Sequence, residues 1–109
     1  MNEPTRERAS QLFAALSNPS RLRIVELLCN QEMSVNQICD ALSLNQSATS
    51  QNLATLTRAG LLNVEQQGAS RIYRVRGPRI GRILALIEEF CQIHQLYGLE
   101  EETGKKVEP

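Results

Sequence analysis

The stretch from Ser34 to Gly60 constrains the fold most, because it predicts two short helices joined by a tight turn. Ser34 and Gln37 have the spacing of a capping box, in which two side chains satisfy free amides where a helix begins. Asn45 suits the cap of a second helix after the turn, and Gly60 suits the left-handed residue that follows a helix. This arrangement predicts a helix-turn-helix motif.

The rest of the chain predicts elements on both sides of this motif. Apolar residues three and four apart predict a first helix over 5–16, and Asn18-Pro19 begins a second helix. Alternating apolar residues around the turn Gly68-Ala69-Ser70 predict a β-hairpin, and a last helix begins at Gly77-Pro78. We therefore predict a mainly α (α+β) winged helix-turn-helix domain over residues 1–99, followed by a flexible acidic tail over 100–109.

Charge is distributed unevenly along the chain, although its net value is zero. Residues 21–82 carry eight arginines against four acidic residues, whereas residues 83–109 carry six acidic residues against two lysines. A basic stretch of this kind is typical of a phosphate-binding surface, with the acidic end held away from it. Charge alone does not distinguish a phosphate-binding surface from an ordinary solvated one. The polar residues of the helix-turn-helix motif are the evidence that distinguishes the two.

The second helix of the motif divides into two faces. Thr49, Leu53 and Leu56 are expected to point into the domain. Four short, uncharged polar side chains are expected to point outward, and they suit hydrogen bonds to base edges and phosphates. These four are Gln46, Ser47, Ser50 and Gln51. A solvated helix face usually carries Glu and Lys, so the absence of charge before Arg58 favours a face that enters the major groove of double-stranded DNA.

The hairpin is predicted to form a basic wing beside this helix. Arg71 follows the flexible tip, where it can reach the DNA backbone or a narrow minor groove, and Arg74 continues the basic edge. The sequence thus predicts Arg58, Arg71 and Arg74 as further DNA contacts. An alternative interpretation is a winged-helix module that binds proteins and not DNA. That module predicts acidic residues on the wing and the second helix, where this chain has arginines.

Four segments make the chain similar to the ArsR/SmtB family of bacterial repressors: LSNPSRLRI at 16–24, NQSATSQNL at 45–53, RAGLL at 58–62 and RIY at 71–73. The resemblance covers about residues 8–97. It implies a homodimer joined through the first and last helices, operator DNA facing the four polar residues at the start of the second helix of the motif, and release from DNA when an inducer binds. One departure is Asn52, where histidine is usual in the family.

The resemblance also allows each family sensing site to be checked. The arsenic-type Cys-x-Cys positions correspond to Ser34 and Asn36, and Cys39 is a nearby family cysteine that cannot bind alone. The zinc-type positions on the last helix correspond to four residues that are not ligands: Gly77, Arg79, Phe90 and Ile93. The resemblance therefore implies neither of these two metal sites.

Three interpretations remain open for the late cysteine, Cys91. Cys91 and His94 lie three residues apart on one helical face, so a dimer axis can bring two such pairs together as a metal or metalloid site. Cys29 and Cys91 can instead form a displaced version of the thiol pair used by the redox-sensing branch of the family. The third interpretation is that these residues only extend the apolar interface stripe, which consists of Ile80, Ile83, Leu84, Ile87, Phe90, Cys91 and His94.

Composition bounds the other possibilities. No apolar run has the length of a membrane span, the N-terminus has no apolar signal segment, and the cysteine spacing does not suggest a disulfide framework. These features predict a cytoplasmic protein. The single histidine and the absence of a Gly-rich phosphate loop argue against an enzyme. Together with the resemblance to the ArsR/SmtB repressors, the expectation is a dimeric DNA-binding repressor.

Overall fold

The elements of the computed structural model follow the predicted order, with one short strand added. The structure describes the backbone of residues 1–102 and the side chains of residues 1–93. Its elements are α1 (Glu3–Leu16), α2 (Pro19–Leu28), β1 (Met33–Ser34), α3 (Val35–Leu42), α4 (Gln46–Arg58), β2 (Leu62–Gln67), β3 (Ser70–Val75) and α5 (Arg79–Glu102). The side chain of His94 and residues 103–109 of the expected tail lie outside the described part.

Polar caps define where the helices begin. The side chains of Asn2, Asn18 and Asn45 each accept a hydrogen bond from a backbone amide three residues later, at the starts of α1, α2 and α4. The predicted capping box at α3 is complete, because the Ser34 hydroxyl accepts from the Gln37 amide while the Gln37 side chain accepts from the Ser34 amide. These caps satisfy amides that have no partner within the helix.

The sheet has three antiparallel strands in the order β1-β3-β2. The predicted hairpin is formed by β2 and β3, with Gln67 opposite Ser70 at the tip. The sequence did not predict β1, in which Met33 pairs with Tyr73 and Ser34 with Ile72. A strand of two residues has no alternation to recognise, and its partner lies about forty residues later, so only the tertiary fold defines it. The pairing attaches the start of α3 to the wing, which is the hairpin β2–β3.

The core lies where α2, α3 and α4 meet the sheet. Ile24, Ile38, Leu53 and Leu56 have no exposed surface, and Leu62 is 1% exposed. Leu12 and Leu16 of α1 and Ile80 and Leu84 of α5 pack against the edge of this cluster. Side chains of this type contribute roughly 1.5–3 kcal/mol each when fully buried, so the cluster fixes the positions of α3 and α4.

Helix α5 has two apolar faces, whereas the sequence predicted a single stripe. Ile80 and Leu84 pack on the domain, but a second set remains exposed in this chain: Ile83 (47%), Leu86 (65%), Phe90 (61%) and Ile93 (46%). We call these four residues the outer face of α5. Their spacing of three and four residues places them along one side of the helix. Phe13 of α1 is also exposed, at 64%.

Candidate nucleic-acid interface

The turn between α3 and α4 is fixed by local hydrogen bonds. Ser43 ends α3 in a left-handed conformation with φ 56°, and its amide donates to the carbonyl of Cys39. The Leu44 amide also donates to the Cys39 carbonyl, at 3.1 Å. Asn45 then caps α4, because its Oδ1 accepts from the Ala48 amide at 2.7 Å. The first turn of α4 therefore begins at a defined angle to α3.

Helix α4 has the two faces that its sequence predicts. Thr49, Leu53 and Leu56 are fully buried, and the Thr49 hydroxyl donates to the Asn45 carbonyl at 2.8 Å. On the other side, four polar residues are exposed: Gln46, Ser47, Ser50 and Gln51. We call these four residues the recognition face. They lie in the first two turns of α4, where free backbone amides and the helix dipole favour contact with an anion.

The two sides of the wing carry different arginines. The register pairs Arg71 with Gln66 and Tyr73 with Val64, and side chains alternate along a strand, so these four residues share one side of the hairpin. Tyr73 is buried in the core, and this side of the hairpin lies across a cleft from α4. Arg74 lies on the opposite side.

Arg71 and the recognition face meet at a cleft of about 600 Å³. The cleft is lined by Ser34, Val35, Asn36, Gln46, Ser50, Ala54, Thr57, Arg58, Val64, Ala69, Ser70, Arg71 and Tyr73. None of these residues is acidic, and two are arginines. Asn36 was not expected here from its sequence position. Strand β1 explains its placement, because it holds the first turn of α3 against the wing.

Arg74 forms ion pairs with two carboxylates on the side of the wing that faces away from α4. Its Nη1 lies 2.9 Å from Glu65 Oε1 in β2 and 3.3 Å from Glu32 Oε1 in the loop before β1. The hydrogen bond with Glu65, first, and its negative charge raise the pKa of the Arg74 guanidinium further above its usual range. Arg74 as a DNA contact stays a prediction of the sequence. In the structure Arg74 lies outside the cleft, where it joins β3 to its neighbours.

The structure does not bring Cys29 and Cys91 together within one chain. A Cβ added at Gly81 would lie 3.8 Å from the Cys29 Sγ, so Cys29 faces the start of α5. Cys91 is ten residues further along that helix, a rise of about 15 Å, whereas a disulfide needs Cα atoms within roughly 7 Å. Burial, and secondly the charge of Glu26, raise the pKa of the Cys29 thiol. Cys91 is exposed.

Metal-ligating side chains are scattered within the described residues. No group of three or more His, Cys, Asp or Glu side chains there is close enough to hold a metal ion. The proposed pair of Cys91 and His94 stays a prediction, because the His94 side chain lies outside the described part.

Among the described residues, no helix combines the length and the apolar composition of a membrane span.

A capped recognition helix, a basic wing and a cleft between them define a winged helix-turn-helix DNA-binding protein. Residues 18–64 match the model of the arsR family of bacterial regulatory proteins. The transcriptional activator HlyU of Vibrio cholerae is 33% identical over 94 residues, which are 85% of this chain and 87% of HlyU. The chain belongs to the ArsR family of transcriptional regulators.

Solved structures agree with this assignment. Reduced HlyU from Vibrio cholerae superimposes with a TM-score of 0.71 at 31% identity, over 80% of this chain and 92% of that one. The homodimeric winged helix-turn-helix DNA-binding domain of Mb0332 from Mycobacterium bovis gives 0.78 at 29% identity, over 86% and 87%. The transcriptional repressor PagR of Bacillus anthracis gives 0.68 at 31% identity, over 76% and 95%. These relatives are regulators and not enzymes.

Proposed function

We propose that the chain is a cytoplasmic repressor that binds operator DNA as a homodimer and is released by an inducer. The observation that carries the proposal is the cleft, where uncharged polar residues of the recognition face lie on the same side as Arg71. Polar side chains in the first turns of such a helix read base edges in the major groove, while a basic wing contacts the backbone. Arg58, in the last turn of α4, lines the same cleft and adds a second positive charge.

The dimer is proposed from the outer face of α5 and from Phe13. Together they expose five large apolar side chains on a chain of 109 residues, and such surface usually marks a protein interface. The related Mb0332 domain is named as a homodimer. A two-fold axis through α1 and α5 would place two recognition helices on successive turns of one face of the DNA.

Repression is proposed in preference to activation, since the related PagR is a transcriptional repressor although HlyU is named an activator. A dimer seated over a promoter blocks polymerase without any further contact, whereas activation needs a surface that recruits it. In vitro transcription from a bound promoter distinguishes the two, because a repressor lowers the transcript yield and an activator raises it.

For the inducer, we place the sensing step at Cys91. The Cys91 thiol is exposed, whereas Cys29 has a raised pKa and lies beside Gly81, a rise of about 15 Å along α5 from Cys91. A partner for Cys91 must therefore come from a second chain or from a small sulfur compound. Peroxide that oxidises two thiols takes two electrons and two protons from them and leaves as water, and the thiols form a disulfide. The alternative is a metal ion or metalloid held by Cys91 and His94 of both chains.

The test is a fluorescence-anisotropy titration with duplex DNA from upstream of the chain's own coding sequence. Specific binding at submicromolar concentration is expected, and binding no tighter than to random duplex would contradict an operator site. Repeating the titration with metals, arsenite, hydrogen peroxide and polysulfide identifies the inducer. Release by an oxidant that a thiol reductant reverses supports thiol chemistry, whereas reversal by a chelator supports a metal. A Cys91→Ser variant that responds like the parent would remove Cys91 from sensing.

A further inference from the structure

Arg8 ties α1 to the end of the helix that carries the recognition face. Its Nη2 donates to the carbonyl oxygen of Ala59 at 2.6 Å, and Ala59 is the C-cap residue directly after α4. The two residues are 51 positions apart in sequence, so the bond is purely tertiary. A guanidinium is well suited to this position, since the last carbonyls of a helix are unpaired and carry the negative end of its dipole.

The chain leaves room for Arg8 at this point. Gly60 follows Ala59 with a φ of +85°, which favours glycine, and a Cβ there would overlap the Arg8 guanidinium. A side chain at position 60 would therefore push Arg8 away from the end of α4. Gly60 thus serves both the backbone turn after α4 and the contact with α1.

Arg21 makes a second hydrogen-bonded link between α1 and α4, and we call the Arg8 and Arg21 links the two ties. Its Nε donates to the carbonyl of Ala15 in the last turn of α1 at 2.5 Å, and its Nη1 lies 3.4 Å from the Oδ1 of Asn52 in α4. Arg21 is half-buried and is itself held in place, because its amide donates to the Asn18 cap. The Asn52 amide oxygen thus accepts a hydrogen bond from an arginine of α2.

We propose that Arg8 and Arg21 are positioning residues that hold α4 at a fixed angle to α1. Asn52 and Ala59 are seven residues apart, about 10 Å along the helix, and two attachment points prevent a pivot that one would allow. The inference rests on the proposed function, in which α1 lies at the dimer interface and α4 enters DNA. The two ties then set the distance between the recognition helices of a dimer, which must match half-sites about 34–36 Å apart.

The first test compares Arg8→Met with Arg6→Met. Both variants remove one arginine from α1, but the hydrogen bonds of the Arg6 guanidinium to described residues go to Glu3 and the Met1 carbonyl of its own segment. In a background with Cys29, Cys39 and Cys91 replaced by alanine, Gln51→Cys carries a nitroxide spin label. Double electron–electron resonance without DNA then measures the distance between the two labels of a dimer. We expect Arg8→Met to widen the distance distribution at least twofold and Arg6→Met to leave it unchanged.

A second variant and a DNA measurement complete the test. Asn52→Ala removes the other tie while Arg21 keeps its bond to Ala15, and we expect it to widen the distribution as well. With native cysteines and no label, the parent is used to select a palindromic duplex from a random library. The preference is the ratio of the affinity for this duplex to the affinity for one with two extra base pairs between its half-sites. In Arg8→Met this ratio should decrease at least fivefold. The affinity for a random duplex and the dissociation constant of the dimer should change less than twofold.

The outcomes distinguish the positioning role of Arg8 and Arg21 from the proposed DNA-binding function. Equal distance distributions in Arg8→Met and Arg6→Met would overturn the positioning role. A loss of random-duplex affinity with a lower salt dependence would overturn it too, since Arg8 would then be a phosphate contact. A widened distribution in a dimer that binds no duplex would support the positioning role and overturn the proposed function. A parent that is monomeric at labelling concentrations would overturn both.

Discussion

Arg71 and Arg74 lie three residues apart on one strand and have opposite surroundings. Arg71 lines the cleft beside the recognition face, whereas Arg74 is paired with Glu65 and Glu32 on the far side of the wing. Both side chains are equally basic in the sequence, so charge counts treat them alike. Strand alternation and the long-range approach of Glu32 separate them. The same residue type thus lines the proposed DNA-binding cleft in one case and links strands in the other.

At the residue scale, we expect Ser50→Ala and Gln51→Ala to relax sequence preference. Their side chains face outward from α4, so their loss removes hydrogen bonds to base edges without disturbing the core. A specific base contact contributes roughly 1–3 kcal/mol of discrimination. Affinities for the selected duplex and its single-base variants, measured by anisotropy, test this. Ser10→Ala, an exposed change on α1, is the control. Unchanged discrimination in both variants would remove these residues from base readout.

Cys29 and Cys91 should differ in their rates of alkylation. Because the thiolate is the nucleophile, the raised pKa of Cys29 lowers its alkylation rate near pH 7.5, whereas the exposed Cys91 reacts first. The Cys29 rate should increase with pH, but its pH profile should lie at higher pH than that of an unburied thiol, because burial raises the pKa of Cys29. The unfolded thiol ionises at a lower pH than the folded one, so the free energy of unfolding decreases over the same range.

Timed iodoacetamide labelling with peptide mass spectrometry measures these rates. Labelling in guanidinium chloride, where both thiols are exposed, should give similar rates and serves as the control. Faster reaction of Cys29 than of Cys91 in the folded protein at pH 7.5 would contradict the burial seen here.

At the scale of elements, short-range signals made most of the fold predictable. The Ser34 capping box, the Asn45 cap and the Gly60 stop act within four residues of the helix ends that they define, so the sequence alone indicated α3 and α4. Strand β1 could not be predicted, since it exists only because Met33 meets Tyr73. The outer face of α5 was only partly predicted, because Leu86 and Ile93 lie off the single stripe that the sequence suggested.

The recognition face could be predicted for a similar reason. Helical periodicity places Thr49 on the buried side with Leu53 and Leu56. The same periodicity places Gln46 and Ser50 on the outward side. Asn36 and the separation of Arg71 from Arg74 depend on how β1, β3 and α4 pack. Those contacts join residues far apart in the sequence, and periodicity carries no information about them.

The capping box should contribute measurably to the stability of the motif. Ser34→Ala leaves the Gln37 amide without its acceptor at 3.2 Å, and a lost N-cap costs about 1 kcal/mol, with a range of roughly 0.5–2. Urea unfolding followed by circular dichroism should show a lower midpoint at unchanged slope. Ser10→Ala again serves as the control, because alanine is favoured within an exposed helix. Equal midpoints for the two variants would show that the box is not stabilising.

At the scale of the whole molecule, the outer face of α5 is expected to form the dimer interface. Leu86→Glu places a charge at its most exposed position and should produce a monomer at micromolar concentration in sedimentation velocity. Ala85→Glu adds the same charge to the neighbouring exposed position, outside that face, and should remain dimeric. A dimeric Leu86→Glu protein would show that the chains associate through another surface, and a monomeric parent would exclude the dimer.

The most direct test of DNA binding through the cleft compares Arg71→Ala with Arg74→Ala, which remove the same charge from opposite sides of β3. Anisotropy titrations of both variants and the parent are run on one selected duplex between 50 and 200 mM salt. Each phosphate contact contributes about 0.9 to the slope of log affinity against log salt, so losing two Arg71 contacts per dimer should lower it by about 1.8 and the affinity more than about tenfold. Arg74→Ala should keep the parental slope. Equal slopes for Arg71→Ala and the parent, or a larger decrease for Arg74→Ala, would contradict DNA binding through this face.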